Sequence, residues 1–226
     1  MAHPLGRKVA GIGMTSQRTR ARMVERLREK GIRDERVLAA MADTPRHLFV
    51  EEALASRAYE DTALPIGLGQ TISQPFVVAR MIELVLDQAK PPRKVLEVGT
   101  GCGYQAAVLA RLFPEVYSIE RIKALHERAR ANLLGQSLSN LRLVHGDGHA
   151  GLEKAAPFQA IVVAAAARAV PEALLRQIAP GGRMILPLHG SHREAQRLVL
   201  IERSGRGLIE RELDPVRFVP LEAGKA

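Results

Sequence analysis

Short apolar runs alternate with segments of helical periodicity from residue 94 onward, and this alternation limits the possible folds more than any other feature of the chain. The runs lie at 95–98, 116–120, 141–144, 160–164 and 184–187. Helical segments follow the first, second and fourth runs, at 104–112, 121–134 and 172–179. Strands that alternate with helices are joined by crossovers, which produce a parallel sheet covered on both faces. We therefore expect an α/β fold with a doubly wound, mostly parallel sheet.

The two ends of the chain depart from this alternation. Helices are predicted over 15–31 and 34–45, where apolar residues recur at helical spacing between capping and breaking residues. A loop rich in glycine and proline follows over 64–75, and Ser73 is placed to act as the N-cap of the next helix. Near the other end, two apolar runs flank a Ser-Gly-Arg turn, which predicts a hairpin of antiparallel strands at the sheet edge.

The positive charge of the chain is concentrated near its start. The sequence has 33 Lys and Arg against 24 Asp and Glu, a formal net charge of +9, and ten of the bases with four of the acids lie within 1–36. That segment has no aromatic residue and the chain has no Trp. Surfaces that bind nucleic acid interleave basic with aromatic side chains, so these bases are better explained as the solvated face of a helix.

Cysteine usage and hydropathy indicate the compartment. One cysteine, Cys102, excludes a disulfide framework and favours a reducing environment. No run reaches the roughly 18 apolar residues that a membrane helix needs, and the first residues lack the apolar core of a secretory signal. We expect a cytoplasmic protein.

A glycine-rich loop, Gly99-Thr100-Gly101-Cys102-Gly103, lies between a predicted strand and a predicted helix. An open α/β sheet places its ligand crevice at such a strand end, and glycines let the backbone approach a ligand closely. The spacing lacks the third glycine of a dinucleotide fingerprint, and the chain has no phosphate-binding P-loop motif. Alone, such a loop is more often structural than functional.

Acidic residues end the next two predicted strands. The carboxylate of Glu120 can accept hydrogen bonds from both hydroxyls of a ribose, and Asp147, within a Gly-Asp-Gly turn, can accept one from an adenine amino group. Each has a plainer explanation, Glu120 as the partner of a helix dipole and Asp147 as part of a simple turn. Taken with the glycine loop, they favour a nucleoside cofactor without phosphates, which suggests S-adenosylmethionine.

Further motifs make the chain resemble the protein-L-isoaspartate O-methyltransferases from about Met23 to Leu221. They are Pro45-Arg46-His47-Leu48-Phe49-Val50, Leu64-Pro65-Ile66-Gly67, Gly69-Gln70-Thr71-Ile72-Ser73-Gln74-Pro75, His145-Gly146-Asp147-Gly148 and Val216-Arg217-Phe218-Val219-Pro220-Leu221. The resemblance implies a Rossmann-like methyltransferase that uses S-adenosylmethionine to methylate the free carboxylate of isoaspartyl residues in damaged proteins and peptides. The ester then cyclises to a succinimide, which partly reopens as normal aspartate.

The resemblance also assigns site residues. Ser73 matches the family's active-site serine, although it could serve only as the N-cap described above. The residues carried over to the cofactor site are Gln70, Thr71 and Ile72 at the methionine end, Gly99, Thr100, Gly101 and Gly103 in the loop, Glu120 at the ribose, and Asp147 and Gly148 at the adenine. Those carried over to the substrate site are Leu64, Pro65, Ile66, Val216, Arg217 and Phe218. No metal is expected, because a carboxylate acceptor is already ionised at neutral pH and His145, Asp147 and His149 form a loose frame for an ion.

The charge distribution and the predicted elements divide the chain into parts. Residues 1–14 are expected to form a mobile basic extension, and 15–226 a single methyltransferase domain. Within that domain, 15–90 is the helical lead with the active-site loop, 91–190 is the cofactor-binding core and 191–226 holds the C-terminal strands. His149 and Ala164 depart from the family pattern. Five residues follow Leu221, so the cofactor contact that a longer tail makes in other members is not expected here.

Two other functions stay open. An enzyme using the same cofactor could methylate RNA or a small metabolite, although amino-group methylases often carry Asn or Asp-Pro-Pro-Tyr after the fourth strand, where 164–167 here are all alanine. A nucleic-acid-binding module could instead keep a vestigial cofactor site, and it would bind RNA in a salt-sensitive way. We favour repair of damaged proteins by a monomer, with no specific nucleic acid or membrane as partner.

Overall fold

The computed structural model describes residues 11, 13–86, 91–190 and 195–226, so most of the extension predicted at 1–14 lies outside the described residues. Its six α-helices are α1 Gln17–Glu29, α2 Glu35–Asp43, α3 Pro75–Val85, α4 Tyr104–Leu112, α5 Lys123–Leu133 and α6 Glu172–Gln177. Its nine strands are β1 Leu64–Gly67, β2 Gln70–Ile72, β3 Lys94–Val98, β4 Glu115–Glu120, β5 Leu141–His145, β6 Phe158–Val163, β7 Ile178–His189, β8 Gln196–Ser204 and β9 Gly207–Val216. Across these described ranges, no helix has both the length and the apolar character needed to cross a membrane.

Seven strands form one sheet in the order β5-β4-β3-β6-β7-β8-β9. The first five pair in parallel, and β8 and β9 pair antiparallel at one edge. The predicted doubly wound, mostly parallel sheet with antiparallel C-terminal strands is confirmed. The strand order reverses direction at β3, since the chain continues to β4 on one side and returns to β6 on the other. Open α/β sheets bind ligands at the carboxyl ends of the strands that flank such a reversal.

Alternate residues of the central strands enter two hydrophobic cores, one on each face of the sheet. Val95 and Val162 belong to the core that also contains α1 to α4, whereas Leu96 and Ile161 belong to the core that also contains Leu174 of α6. This period of two arises because successive side chains of a strand point to opposite faces. Burial on both faces explains why these strands are almost wholly apolar.

The structure corrects the sequence-based boundaries in two places. The segment 64–75 is not only a loop, because β1 and β2 pair antiparallel and bury Leu64, Ile66 and Ile72. The helix predicted over 172–179 ends at Gln177, because β7 begins at once and runs twelve residues, through the Pro-Gly-Gly that resembles a turn. A register shift in the pairing of β6 with β7 accommodates that sequence.

The motif at 45–50 ties the helical lead to the sheet. The guanidinium of Arg46 is fully buried, donates from Nε to the Ala58 carbonyl at 2.8 Å and lies 4.9 Å from the centre of the Tyr104 ring at the start of α4. The Nδ1 atom of His47 is 2.7 Å from the Tyr59 hydroxyl oxygen. These contacts hold the segment before β1 against the helix that follows the glycine loop.

Candidate active site

A pocket with about 820 Å³ of open space, its mouth included, lies at the carboxyl ends of β3, β4, β5 and β6. It brings together residues from segments that are far apart in the sequence. Nine of the predicted site residues line it: Gln70, Thr71, Ile72, Ser73, Gly99, Thr100, Gly101, Glu120 and Gly148. This is the position at which the strand order predicts a ligand crevice.

Glu120 is fixed at the end of β4 by two backbone donors. Its Oε2 accepts the Gly101 N–H at 2.8 Å, and its Oε1 accepts the Ile122 N–H at 2.9 Å. Each carboxylate oxygen can accept a second hydrogen bond, and the side chain lines the pocket although it is almost fully buried. This arrangement suits the capture of two neighbouring hydroxyls.

The glycine loop passes directly over the end of β3. Gly101 has φ of +54°, which disfavours a side chain, and a Cβ there would lie 3.4 Å from Ile66 of the β1–β2 hairpin. Gly148, at the opposite wall, has no room for a side chain because a Cβ would lie 2.5 Å from Val98. Gly103 does not line the pocket; it is the N-cap of α4 and packs beneath Leu133.

Ser73 lies between β2 and α3, and its hydroxyl forms no hydrogen bond with the described residues. The interpretation of Ser73 as the N-cap is wrong, because Gln74 occupies that position and Pro75 begins the helix. The N–H of Phe76 is accepted instead by Oδ1 of Asp61, at 2.9 Å. A side chain far away in sequence thus caps α3 and leaves the Ser73 hydroxyl free at the pocket wall.

Asp147 is close to the pocket but is not among its lining residues. Its Oδ1 accepts the His149 N–H at 2.8 Å, and its Oδ2 accepts the Gly224 N–H at 2.9 Å. The five residues after Leu221 therefore return to the site. The sequence had predicted no contact from this end of the chain. Glu222 lines the pocket and pairs with Arg121 at 2.9 Å.

The predicted substrate segments lie beside the pocket rather than in its lining. Leu64 and Ile66 are buried beneath the hairpin, so Pro65 is the side chain of that trio that faces solvent. Arg217 is exposed, and the segment after β9 is held by Phe218, whose N–H and carbonyl both bond to Gln196, at 2.6 and 3.1 Å. The roles of these residues toward a substrate stay predictions.

The sequence did not single out several residues that line the pocket. They are Val78, Tyr104, Gln105, Arg121, Leu125 and Glu222. Ala164 and Ala165, which follow β6 in the described structure, present only methyl groups. They offer no side-chain amide or carboxylate that could bind an amino group of a substrate. The thiol of Cys102 also lines the pocket, and burial raises its pKa to about 11, which keeps it protonated and unreactive at neutral pH.

A buried polar network supports the glycine loop from below. The carboxyl of Glu97, within β3, accepts a hydrogen bond from the Ser118 hydroxyl, which lies 2.6 Å from the Thr100 hydroxyl oxygen. The pKa of Glu97 is raised from 4.5 to about 8, mainly because burial disfavours the charged form; Glu120 also raises it, while Ser118 and the close amide of Gln105 lower it. Glu97 is therefore mainly protonated at neutral pH.

This raised pKa predicts how stability depends on pH. The folded protein holds the Glu97 proton more tightly than the unfolded chain does. The contribution of this group to stability is therefore fully present below pH 4.5 and is lost as the pH rises to about 8. A Glu97→Gln variant removes that contribution. We expect urea unfolding to show that the free energy of unfolding of the wild type falls between pH 5.5 and 8.5, relative to that of the variant, by roughly 1 kcal/mol per pH unit. Parallel stability curves for the two proteins would contradict the assignment.

Comparisons with known proteins identify the family to which the chain is similar. Residues 18–226 match the model of the protein-L-isoaspartate(D-aspartate) O-methyltransferase (PCMT) family. A protein-L-isoaspartate O-methyltransferase of Dechloromonas aromatica is 63% identical over 214 residues, which cover 95% of this chain and 98% of that protein. One from Chromobacterium violaceum is 58% identical over the full length of both chains.

Solved structures with the same architecture carry the same description. A protein-L-isoaspartate O-methyltransferase structure superposes with a TM-score of 0.81 at 30% identity, over 90% of this chain and 66% of that one. A structure from Plasmodium falciparum, described as such an enzyme in complex with S-adenosyl-L-homocysteine, gives a TM-score of 0.77 at 26% identity, over 90% of this chain and 98% of that one.

Proposed function

The chain belongs to the protein-L-isoaspartate(D-aspartate) O-methyltransferase family, and from that premise we propose that it transfers the methyl group of S-adenosylmethionine to the free carboxylate of L-isoaspartyl residues in damaged proteins and peptides. The observation that carries the proposal is the pocket itself, which sets Glu120, the glycine loop and Ser73 around one crevice. An adenosyl cofactor fits this donor set, because the crevice offers a fixed carboxylate for hydroxyls and no phosphate cradle.

The cofactor supplies an electrophilic methyl carbon on a sulfonium. Bound S-adenosylmethionine would give this methyl group to a carboxylate oxygen of the substrate, and the electron pair of the broken carbon–sulfur bond would stay on sulfur. The acceptor has an ordinary pKa near 4 and is ionised at neutral pH, so the protein need supply no base. Its contribution is alignment, which can be worth about 7–11 kcal/mol when reacting groups are well oriented.

The residues around the crevice divide this work. Gln70, Thr71 and Ile72 form the wall at the methionine end, Glu120 holds the ribose, and Asp147 with Gly148 borders the adenine. The Ser73 hydroxyl, free of other partners in the described structure, donates one hydrogen bond to the acceptor carboxylate. The exposed Pro65 and Arg217 border the side from which a peptide approaches.

Repair follows from the chemistry of the product. A methyl ester loses methanol readily when the neighbouring backbone nitrogen attacks it, and the succinimide that forms reopens in part as normal aspartate. The partners of the enzyme are therefore damaged proteins and peptides, with no requirement for a specific nucleic acid. We place the enzyme in the cytoplasm and expect it to act as a monomer.

The test is methyl transfer to two peptides that differ only in the linkage of one residue. We expect methylation of the isoaspartyl peptide and at least a hundredfold lower kcat/KM with its normal aspartyl isomer, because only the first presents a free α-carboxylate at the aligned position. Methylation of RNA instead, or equal rates with both peptides, would overturn the proposal.

A further inference from the structure

Three buried polar atoms beside the pocket have no hydrogen-bond partner among the described residues. They are Oε1 and Nε2 of Gln105 and Oε1 of Glu97. Gln105 is only 7% exposed, yet it lines the pocket. The two side chains are close enough for the Gln105 amide to lower the pKa of the Glu97 carboxyl. Leaving a buried polar group unpaired costs about 1–3 kcal/mol, and a ligand that pairs with the group in the pocket recovers that free energy.

The strand order shows which part of the cofactor comes nearest to Gln105. Along the edge of the sheet the carboxyl ends follow in the order β5, β4, β3. The adenine is assigned to the end of β5, at Gly148, and the ribose to the end of β4, at Glu120. The next group along the molecule is the amino-acid end, which must lie over the end of β3. Gln105 is the second residue of α4, directly after the loop that follows β3.

The acceptors nearby decide which atom of the amino-acid end Gln105 meets. Glu97 lies beneath the loop and Glu120 lies on its other side, both with side-chain oxygens. Acceptor oxygens on two sides, one of them the unpaired Oε1 of Glu97, disfavour a ligand carboxylate and favour an ammonium group, which donates hydrogen bonds. A glutamine carbonyl oxygen is a suitable acceptor for that group, while its NH₂ remains on the side of Glu97.

We propose that the side-chain carbonyl of Gln105 accepts a hydrogen bond from the α-amino group of the cofactor, and that Glu97 positions the Gln105 amide from behind. The proposal rests on the cofactor use stated above and adds a binding residue to it. Gln105 thereby distinguishes a nucleoside that carries an amino-acid end from one that does not.

The test compares two ligands that share their adenosine. S-adenosylhomocysteine has the amino-acid end, and 5′-methylthioadenosine keeps adenine, ribose and sulfur but lacks it. By titration calorimetry, Gln105→Leu is expected to weaken S-adenosylhomocysteine about tenfold to a hundredfold and to leave 5′-methylthioadenosine unchanged. Unaltered binding of S-adenosylhomocysteine, or an equal loss for both ligands, would overturn the proposal.

Glu120→Gln is the matched control, since the ribose is present in both ligands and both should weaken together. A third ligand, S-adenosyl-3-thiopropylamine, keeps the amino group and lacks the carboxylate, so its affinity should fall in Gln105→Leu as that of S-adenosylhomocysteine does. If this amine is insensitive to the substitution, the assignment to the amino group is wrong. If the wild-type protein binds none of the three ligands, the function proposed above fails, not the role of Gln105 alone.

Thermal unfolding separates this role from a structural one. Leucine removes the two unpaired polar atoms of Gln105 from the buried site, so the ligand-free variant should unfold at the wild-type temperature or above it. The gain in Tm on adding S-adenosylhomocysteine should be smaller than for wild type. A lower Tm for the ligand-free variant would indicate that Gln105 serves mainly to hold Glu97, and the proposal would be abandoned.

Discussion

The Glu120→Ala variant is expected to bind S-adenosylhomocysteine about a hundredfold or more weakly than the wild-type protein, as measured by titration calorimetry. The substitution removes two acceptors for the ribose hydroxyls, and hydrogen bonds to a charged group are worth about 1.5–3 kcal/mol each. It also removes the acceptor for the Gly101 and Ile122 N–H groups, so the glycine loop loses its anchor to the end of β4. Both effects act on the cofactor site.

Glu115→Ala provides the control from the same strand. Glu115 lies at the opposite end of β4, where it accepts from the Tyr117 hydroxyl at 2.8 Å and meets Arg142 at the surface. Its removal leaves the carboxyl edge of the sheet untouched and breaks only a weak ion pair at the surface. The affinity for S-adenosylhomocysteine should therefore stay within about twofold of wild type. An unchanged dissociation constant for Glu120→Ala would mean that the ribose is held elsewhere.

The sheet and its ligand crevice were predictable from the sequence because both depend on local patterns. Apolar runs of strand length, each followed by a helical segment, dictate parallel pairing, and the glycine loop and Glu120 each follow directly from the end of such a run. Strand ends that share one edge of a sheet must lie close together. Residues 99–101 and 120 therefore meet in the structure as the sequence indicated.

The parts that the sequence did not reveal depend on contacts between distant residues. Asp61 caps α3 across 15 residues of chain, and Gly224 reaches Asp147 across 77. No local pattern encodes such a pairing, so the sequence offers Ser73, beside the helix, as a candidate for the cap that Asp61 provides. Gln105 gave no signal either, because a glutamine in the first turn of a helix is ordinary until its burial is known.

The β1–β2 hairpin was missed for a different reason. Gly67 at the end of β1 and the turn residues Leu68 and Gly69 have positive φ values of 80°, 53° and 71°. Two glycines around one residue are a recognisable turn signal, but the glycine- and proline-rich composition of 64–75 indicated a loop, because proline disfavours a strand. Proline is tolerated there because β1 belongs to a two-stranded sheet and has a free edge.

Ser73→Ala is expected to lower kcat/KM for methylation of an isoaspartyl peptide by about tenfold to a hundredfold. The lost interaction is one hydrogen bond from the hydroxyl to the charged acceptor, worth about 1.5–3 kcal/mol. Stability should not change, because Asp61 and not Ser73 caps the helix that follows. Affinity for S-adenosylhomocysteine should also stay near wild type, since alanine keeps the backbone of the pocket wall.

The matched variant is Asp61→Ala, which separates the capping of α3 from the binding of the acceptor carboxylate. Removing Asp61 leaves the Phe76 N–H without its acceptor and breaks the ion pair with Lys30, so it should cost about 1 kcal/mol of stability, as loss of a helix cap does. Ser73→Ala should show the opposite pattern, with a fall in activity at constant Tm. If Ser73→Ala instead lost stability and kept its methylation rate, the serine would be a structural residue of the loop, and the acceptor carboxylate would be aligned by other groups.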